Sequence, residues 1–102
     1  MKYFAAIQTI RDLSQIEANK VAHVDFLERL AADGTIVLRG RFIDGSGGLT
    51  IFRASSLEEA RTIAESDPYV RAGARHLDLH EWNMTPKFEE LQSRGTRQEP
   101  LK

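Results

Sequence analysis

Two side chains far apart in the sequence, His23 and Asp67, are the strongest candidates for proton-transfer chemistry. Histidine is suited to that role because its unperturbed pKa is about 6.5, close to physiological pH. At about 100° per residue, His23 falls on one helical stripe with Phe26 and Leu30, so its ring points toward the core. The same position fits a core histidine whose ring is satisfied by a backbone carbonyl, and both interpretations stay open.

Asp67 lies in "AESDPYVRAG", where an aspartate before a proline is typical of a helix start. The carboxylate would cap the helix, with Pro68 in the first helical position. That structural role could account for Asp67 completely. A capping carboxylate at such a junction can also accept a hydrogen bond from a nearby imidazole and fix its tautomer, so the two roles are compatible.

The last apolar segment contains a second set of polar side chains. A period of two places His76, Asp78 and His80 on one strand face with Trp82. Histidine and carboxylate ligands suit zinc, but alternate strand residues lie roughly 6–7 Å apart, which is wide for three ligands on one ion. The sequence therefore predicts no metal site and a polar face directed at solvent or a second copy.

"GRFIDGSGG" is rich in glycine but does not fit a phosphate-binding loop. It lacks the closing Lys-Ser/Thr pair and joins two strands, so a hairpin turn is predicted instead. Arg39 and Arg41, on either side of Gly40, share one face of the strand before this turn. Either arginine could hold an anionic group of a substrate, although such side chains are more often solvated or paired with nearby acids.

These candidates must be positioned by four strands and two helices. Helical periodicity runs from Ser14 to Asp33, with Glu17 placed for a capping box. A second helix starts at Ser55 or Ser56 and stops before the proline of "SDPY". The strands are predicted in "KYFAAIQTI", "TIVLRGRFI", "LTIFRA" and "ARHLDLHEWNM".

The predicted order is β-α-β-β-α-β, which is the ferredoxin-like α+β arrangement: a four-stranded antiparallel sheet with both helices on one face. The other sheet face also carries bulky side chains and needs a cover, so self-association into a homodimer or higher homo-oligomer is expected. The polar tail of residues 85–102 has only Phe88 and Leu91 as anchors. It is expected to be a short helix docked on a neighbouring subunit or a frayed end.

Composition excludes several classes of protein. The 102 residues fit one domain, and 41% apolar with 28% charged residues is typical of a globular chain. A formal net charge of −1 with scattered charges argues against binding to nucleic acid or an anionic membrane. Without cysteine there is no disulfide and no thiolate chemistry. The short apolar N-terminus is not a signal peptide, so a cytoplasmic protein is predicted.

From Met1 to about Met84 the sequence resembles the YciI-like family of the dimeric α+β barrel superfamily. The resemblance rests on "HVDFLERLAADGTIVLRGRF" and "GGLTIFRASSLEEARTIAESDPYVRAGARHLDLHEWN", most specifically on Asp-Pro-Tyr before a small-residue turn. It implies that residues 1–84 form a ferredoxin-like domain whose sheet pairs with a second copy as a barrel. Residues 85–102 lie outside the resemblance and are expected to form a tail that is docked on a partner subunit or disordered.

The resemblance also implies an active pair of His23 and Asp67, with Tyr69 and Gly40 near the same pocket. Related members of the superfamily isomerise lactones or act on small cyclic and aromatic compounds. Many relatives have Gly-Pro at the end of the second strand, where this chain has Gly40-Arg41. That difference changes the charge of the pocket, so substrates do not transfer directly from those relatives.

The leading hypothesis is an enzyme without metal or organic cofactor. His23 would move a proton on a small cyclic, anionic compound by isomerisation or elimination, while Asp67 orients the imidazole. Arg41 or Arg39 would hold a substrate carboxylate. The alternative is a dimeric module that binds a small molecule without turnover. The observation that discriminates between these two hypotheses is whether His23 and Asp67 lie within hydrogen-bond reach beside a cavity or are separately satisfied in dry packing.

Overall fold

The structure is a computed structural model that describes residues 1–94. Its strands are β1 (Lys2–Ile10), β2 (Ile36–Arg41), β3 (Gly47–Ala54) and β4 (Arg75–Trp82). Its helices are α1 (Ser14–Ala32), α2 (Leu57–Glu65), α3 (Pro68–Arg71) and α4 (Phe88–Arg94). None of the helices within these 94 residues is long and apolar enough to cross a lipid bilayer.

The four strands form one antiparallel sheet in the order β2-β3-β1-β4, which confirms the predicted ferredoxin-like topology. The helix-facing side of the sheet carries Phe4, Phe52 and Leu79 in the main core. On α1 the side chains of His23 and Phe26 are buried, as their shared stripe predicts. The core therefore lies between the sheet and the helices, and His23 is at its margin.

A β-bulge in β2 decides where its arginines point. Ile36 pairs with Phe52 on the helix-facing side, but the register shifts before Leu38, which pairs with Ile51. After the shift Arg39 is opposite Thr50, whose side chain is on the same side as Phe52 because strand faces alternate. Without the extra residue, the arginines of β2 would lie on the face of the sheet away from the helices.

The sheet face opposite α1, α2 and α3 has a smaller apolar cluster of its own. Tyr3, Ile51 and Met84 are buried there, and Phe88 packs against them, so α4 docks on its own sheet. Leu91, the other predicted anchor of the tail, is 44% exposed. Residues 95–102, the remainder of the predicted tail, lie outside the described residues.

The helix starts differ in how they are capped. The predicted capping box at Ser14 is wrong: Leu13 occupies the N-cap without a side-chain bond. Asp12 instead accepts hydrogen bonds from the backbone nitrogen and hydroxyl of Ser14, at 3.1 and 2.6 Å. A carboxylate two residues upstream is the better acceptor, so the serine donates. Of the two serines predicted to start α2, Ser56 is the N-cap. Its hydroxyl accepts a hydrogen bond from the Glu59 backbone nitrogen at 3.1 Å.

Candidate active site

The fold brings His23 and Asp67 together although 44 positions separate them in the chain. His23 Nδ1 lies 2.7 Å from Asp67 Oδ1, and the two residues are 8% and 1% exposed. His23 comes from α1, and Asp67 from the junction of α2 and α3. A carboxylate can only accept, so the neutral imidazole carries its proton on Nδ1 and leaves Nε2 with a free lone pair.

Asp67 caps α3 and orients His23 with the same carboxylate. Its Oδ1 also accepts from the Tyr69 backbone nitrogen at 2.9 Å, the predicted N-cap bond. Its Oδ2 accepts from Gln8 Nε2 at 2.9 Å. Three donors thus compensate a carboxylate that is almost entirely removed from water. The structural and chemical roles considered for Asp67 are therefore geometrically compatible.

Gln8 and Arg75 extend this network, and neither was identified as a site residue from the sequence. Arg75 Nη1 donates to Gln8 Oε1 at 3.3 Å, while the Gln8 amide nitrogen donates to Asp67. The sequence does contain a signal for each. Gln8 is a polar residue on the same strand face as Phe4 and Ala6, and Arg75 shares the leucine face of β4.

Tyr69 fills the space between the imidazole and Arg75. Its ring stacks on His23 with centroids 3.9 Å apart and planes at 17°. The Arg75 guanidinium carbon lies 4.7 Å from the ring centroid, within cation–π range. Burial raises the pKa of the Tyr69 phenol, and the positive charge of Arg75 partly opposes that rise. Tyr69 is therefore a neutral phenol at physiological pH.

A cavity of about 900 Å³ lies between α1 and the hairpin of β2 and β3. Gln8, His23, Tyr69 and Arg75 line this cavity, whereas Asp67 does not. The lining comprises Gln8, Ile10, Ile16, Glu17, Lys20, His23, Val24, Leu27, Arg39, Gly40, Arg41, Phe42, Ile43, Gly45, Gly47, Gly48, Leu49, Thr50, Tyr69 and Arg75.

Comparison with known proteins places this architecture in a family. The family model described as the YCII-related domain matches residues 1–83. The chain belongs to the YCII-related family. It is 34% identical over 82 residues to the uncharacterized protein YjpA of Bacillus subtilis (strain 168), covering 80% of this chain and 96% of YjpA. The resemblance seen in the sequence is thus confirmed.

A solved structure shares the fold of this YCII-related chain. It is 5-chloro-2-hydroxyhydroquinone dehydrochlorinase (TftG) from Burkholderia phenoliruptrix AC1100, in complex with 2,5-dihydroxybenzoquinone. The TM-score is 0.68 with 26% sequence identity, and the match covers 79% of this chain and 93% of the other. The α+β ferredoxin-like fold is confirmed by this likeness.

The site residues predicted for the YCII-related chain fall into two groups. His23, Asp67 and Tyr69 are in direct contact. Arg39, Gly40 and Arg41 line the same cavity from β2.

The polar stripe of β4 lies apart from this cavity, on the face turned away from the helices. There His80 Nε2 is 3.1 Å from Asp78 Oδ1, and both side chains are exposed. Within residues 1–94 no group of three or more histidine or carboxylate side chains is arranged to hold a metal ion.

Proposed function

We propose that this protein is an enzyme that moves a proton on a small cyclic, anionic organic compound, with no metal or organic cofactor. The observation that carries the proposal is the 2.7 Å contact between His23 Nδ1 and Asp67 Oδ1 at the wall of a cavity. A histidine oriented by a carboxylate, with its second nitrogen free, has the composition of a general base. Asp67 holds the ring and stabilises its charged form.

The proposed step starts with removal of a proton from a substrate carbon by His23 Nε2. The electron pair left on that carbon then moves toward an adjacent carbonyl or expels a leaving group from the neighbouring carbon. Return of the proton at another position gives an isomerisation, and loss of the leaving group gives an elimination. The related TftG is named a dehydrochlorinase and holds a small cyclic molecule, which supports elimination on a ring as one of the two outcomes.

Positive side chains support an anionic substrate. Lys20, Arg39, Arg41 and Arg75 line the cavity against one acidic side chain, Glu17. We propose that Arg39 and Arg41 bind an acidic group of the substrate, with Tyr69 and Gly40 forming adjacent walls. The electric field near these cations attracts anions, even though the chain as a whole has a net charge of −1.

The test is an NMR measurement of the His23 ring in the wild type and in Asp67→Asn. In the wild type we expect the neutral ring to carry its proton on Nδ1. Asparagine retains the cap of α3. It removes the negative charge that favours a proton on Nδ1, so the preference of the neutral ring for the Nδ1 proton weakens.

Asp78→Asn is the matched control, because it removes an exposed carboxylate that contacts His80 instead. It should leave the signals of His23 unchanged. If Asp67→Asn also leaves the tautomer of His23 unchanged, the acid/base pair is refuted. A cavity that still binds small anions would then support the alternative of a binding module without turnover.

We also propose that the protein is a homodimer built on the part of the sheet face opposite α1, α2 and α3 that α4 leaves exposed. Leu38, Leu49 and Trp82 are 49%, 36% and 42% exposed there, beside the buried Ile51. Residues 1–84 would form the paired domain and residues 85–102 an appendage.

Sedimentation at micromolar concentration should give twice the 11.5 kDa chain mass. Trp82→Glu should shift the protein toward monomer because it would bury a charge in the interface. Leu57→Glu, at a similarly exposed position on α2, should not change the mass. A folded wild-type monomer would contradict the dimer.

A further inference from the structure

Arg75 is a cation beside the candidate base that has no ion-pair partner within residues 1–94. Its Nε is buried and has no hydrogen-bond partner in the described part of the chain. Its Nη1 reaches only the neutral Gln8 amide oxygen, at 3.3 Å. Among residues 1–94, no carboxylate forms an ion pair with Arg75, Arg39 or Arg41. Arg75 also lines the cavity, so this cation without an ion-pair partner indicates a place where the anionic group of a ligand can bind.

The network explains why Arg75 keeps its charge available. Asp67, the negatively charged member of this network, already accepts hydrogen bonds from His23, Gln8 and the Tyr69 backbone. Gln8 stands between Arg75 and Asp67 as a neutral spacer, accepting from one and donating to the other. Arg75 is therefore positioned by the network without being neutralised by it.

The other unpaired arginines approach the cavity from the opposite edge of the sheet. β2 and β4 are separated by three strand spacings, about 14 Å between backbones. Along one row of the sheet Arg41 pairs with Gly48, and Gly48 with Gln8. Gly48 has no side chain, so the floor of the cavity is open at this position between Arg41 and Gln8.

We infer that this cavity binds a small ring carrying two acidic groups on opposite edges. Arg75 binds the group next to His23 and Tyr69, and Arg39 and Arg41 bind the distal group. A planar guanidinium suits the acidic oxygens of such a ligand because it can donate two parallel hydrogen bonds. This inference rests on the proposed function, which gives the location of the reacting group. It makes Arg75 a residue that determines substrate specificity.

Calorimetric titration of the full chain with three probes tests this assignment. The probes are benzene-1,4-dicarboxylate, benzoate and the neutral benzene-1,4-dicarboxamide. We expect the dicarboxylate to bind at least about tenfold more tightly than benzoate, because it gains charged hydrogen bonds at the second end. The diamide should bind no better than benzoate.

Arg75→Met should remove the advantage of the dicarboxylate over benzoate, and Arg75→Lys should retain part of it, since lysine keeps the charge and loses the planar fork. Arg71→Met is the control: it removes an exposed arginine of α3 that does not line the cavity. It should leave all three affinities unchanged.

Equal binding of dicarboxylate and benzoate by the wild type would overturn the inference, whether or not the Arg75 variants fold. So would an Arg75→Lys protein with wild-type affinities. The calorimetry requires no turnover, and the His23 measurement requires no ligand. Failure of the two-anion site is therefore distinguishable from failure of the acid/base pair.

Discussion

Replacing Asp67 by alanine is expected to lower the free energy of unfolding by about 3–4 kcal/mol. The substitution removes the N-cap of α3 and leaves three donors, from His23, Gln8 and the Tyr69 backbone, without an acceptor. Asp67 is 1% exposed, so water does not readily replace the carboxylate. Urea unfolding followed by circular dichroism, at one protein concentration for all variants, measures the loss.

Asp67→Asn should be less destabilising than Asp67→Ala because asparagine still caps α3. It should still cost stability, since its amide nitrogen would face either the Gln8 amide or the imidazole, which are both donors. Asp78→Ala provides the surface control and should change stability by no more than about 0.5 kcal/mol. If Asp67→Ala unfolds at the same urea concentration as Asp78→Ala, the buried network does not stabilise the fold.

Gly47→Ala is expected to destabilise the protein by roughly 3 kcal/mol, or to prevent folding. A methyl group at Gly47 would overlap the carbonyl oxygen of Gln8 and press on the backbone of Thr9. These atoms belong to β1, a central strand paired on both edges, and cannot move without breaking the ladder. Thermal unfolding measures the loss, and binding of benzene-1,4-dicarboxylate reports whether the Gln8 side chain has shifted.

Gly40→Ala is the matched change within the same hairpin. A methyl group at Gly40 meets no atom within 4 Å. We therefore expect its midpoint of thermal unfolding to stay close to that of the wild type. A Gly47→Ala protein as stable as Gly40→Ala would show that the close approach of the two strands at Gln8 is not required.

The local sequence is enough to predict the helices and strands and their order. Apolar runs and the glycine-rich turn predict the strands and the hairpin, and the stripe containing His23 and Phe26 predicts which face of α1 is buried. It also predicted Asp67 as the cap of α3, because a proline in the first helical position leaves few alternatives for the residue before it. These features are local, so neighbouring residues are enough to specify them.

No local pattern specifies which side chains come into contact, because those contacts join elements that are distant in the chain. The contact of His23 with Asp67 depends on how α1 packs against α3. The strand pattern around Gln8 predicts only that its side chain is buried. The pairing of β1 with β4 is what places Arg75 beside Gln8. The bulge in β2 was not predictable either. One extra residue reverses the faces of Arg39 and Arg41, and whether it occurs depends on pairing with β3 rather than on the strand's own sequence.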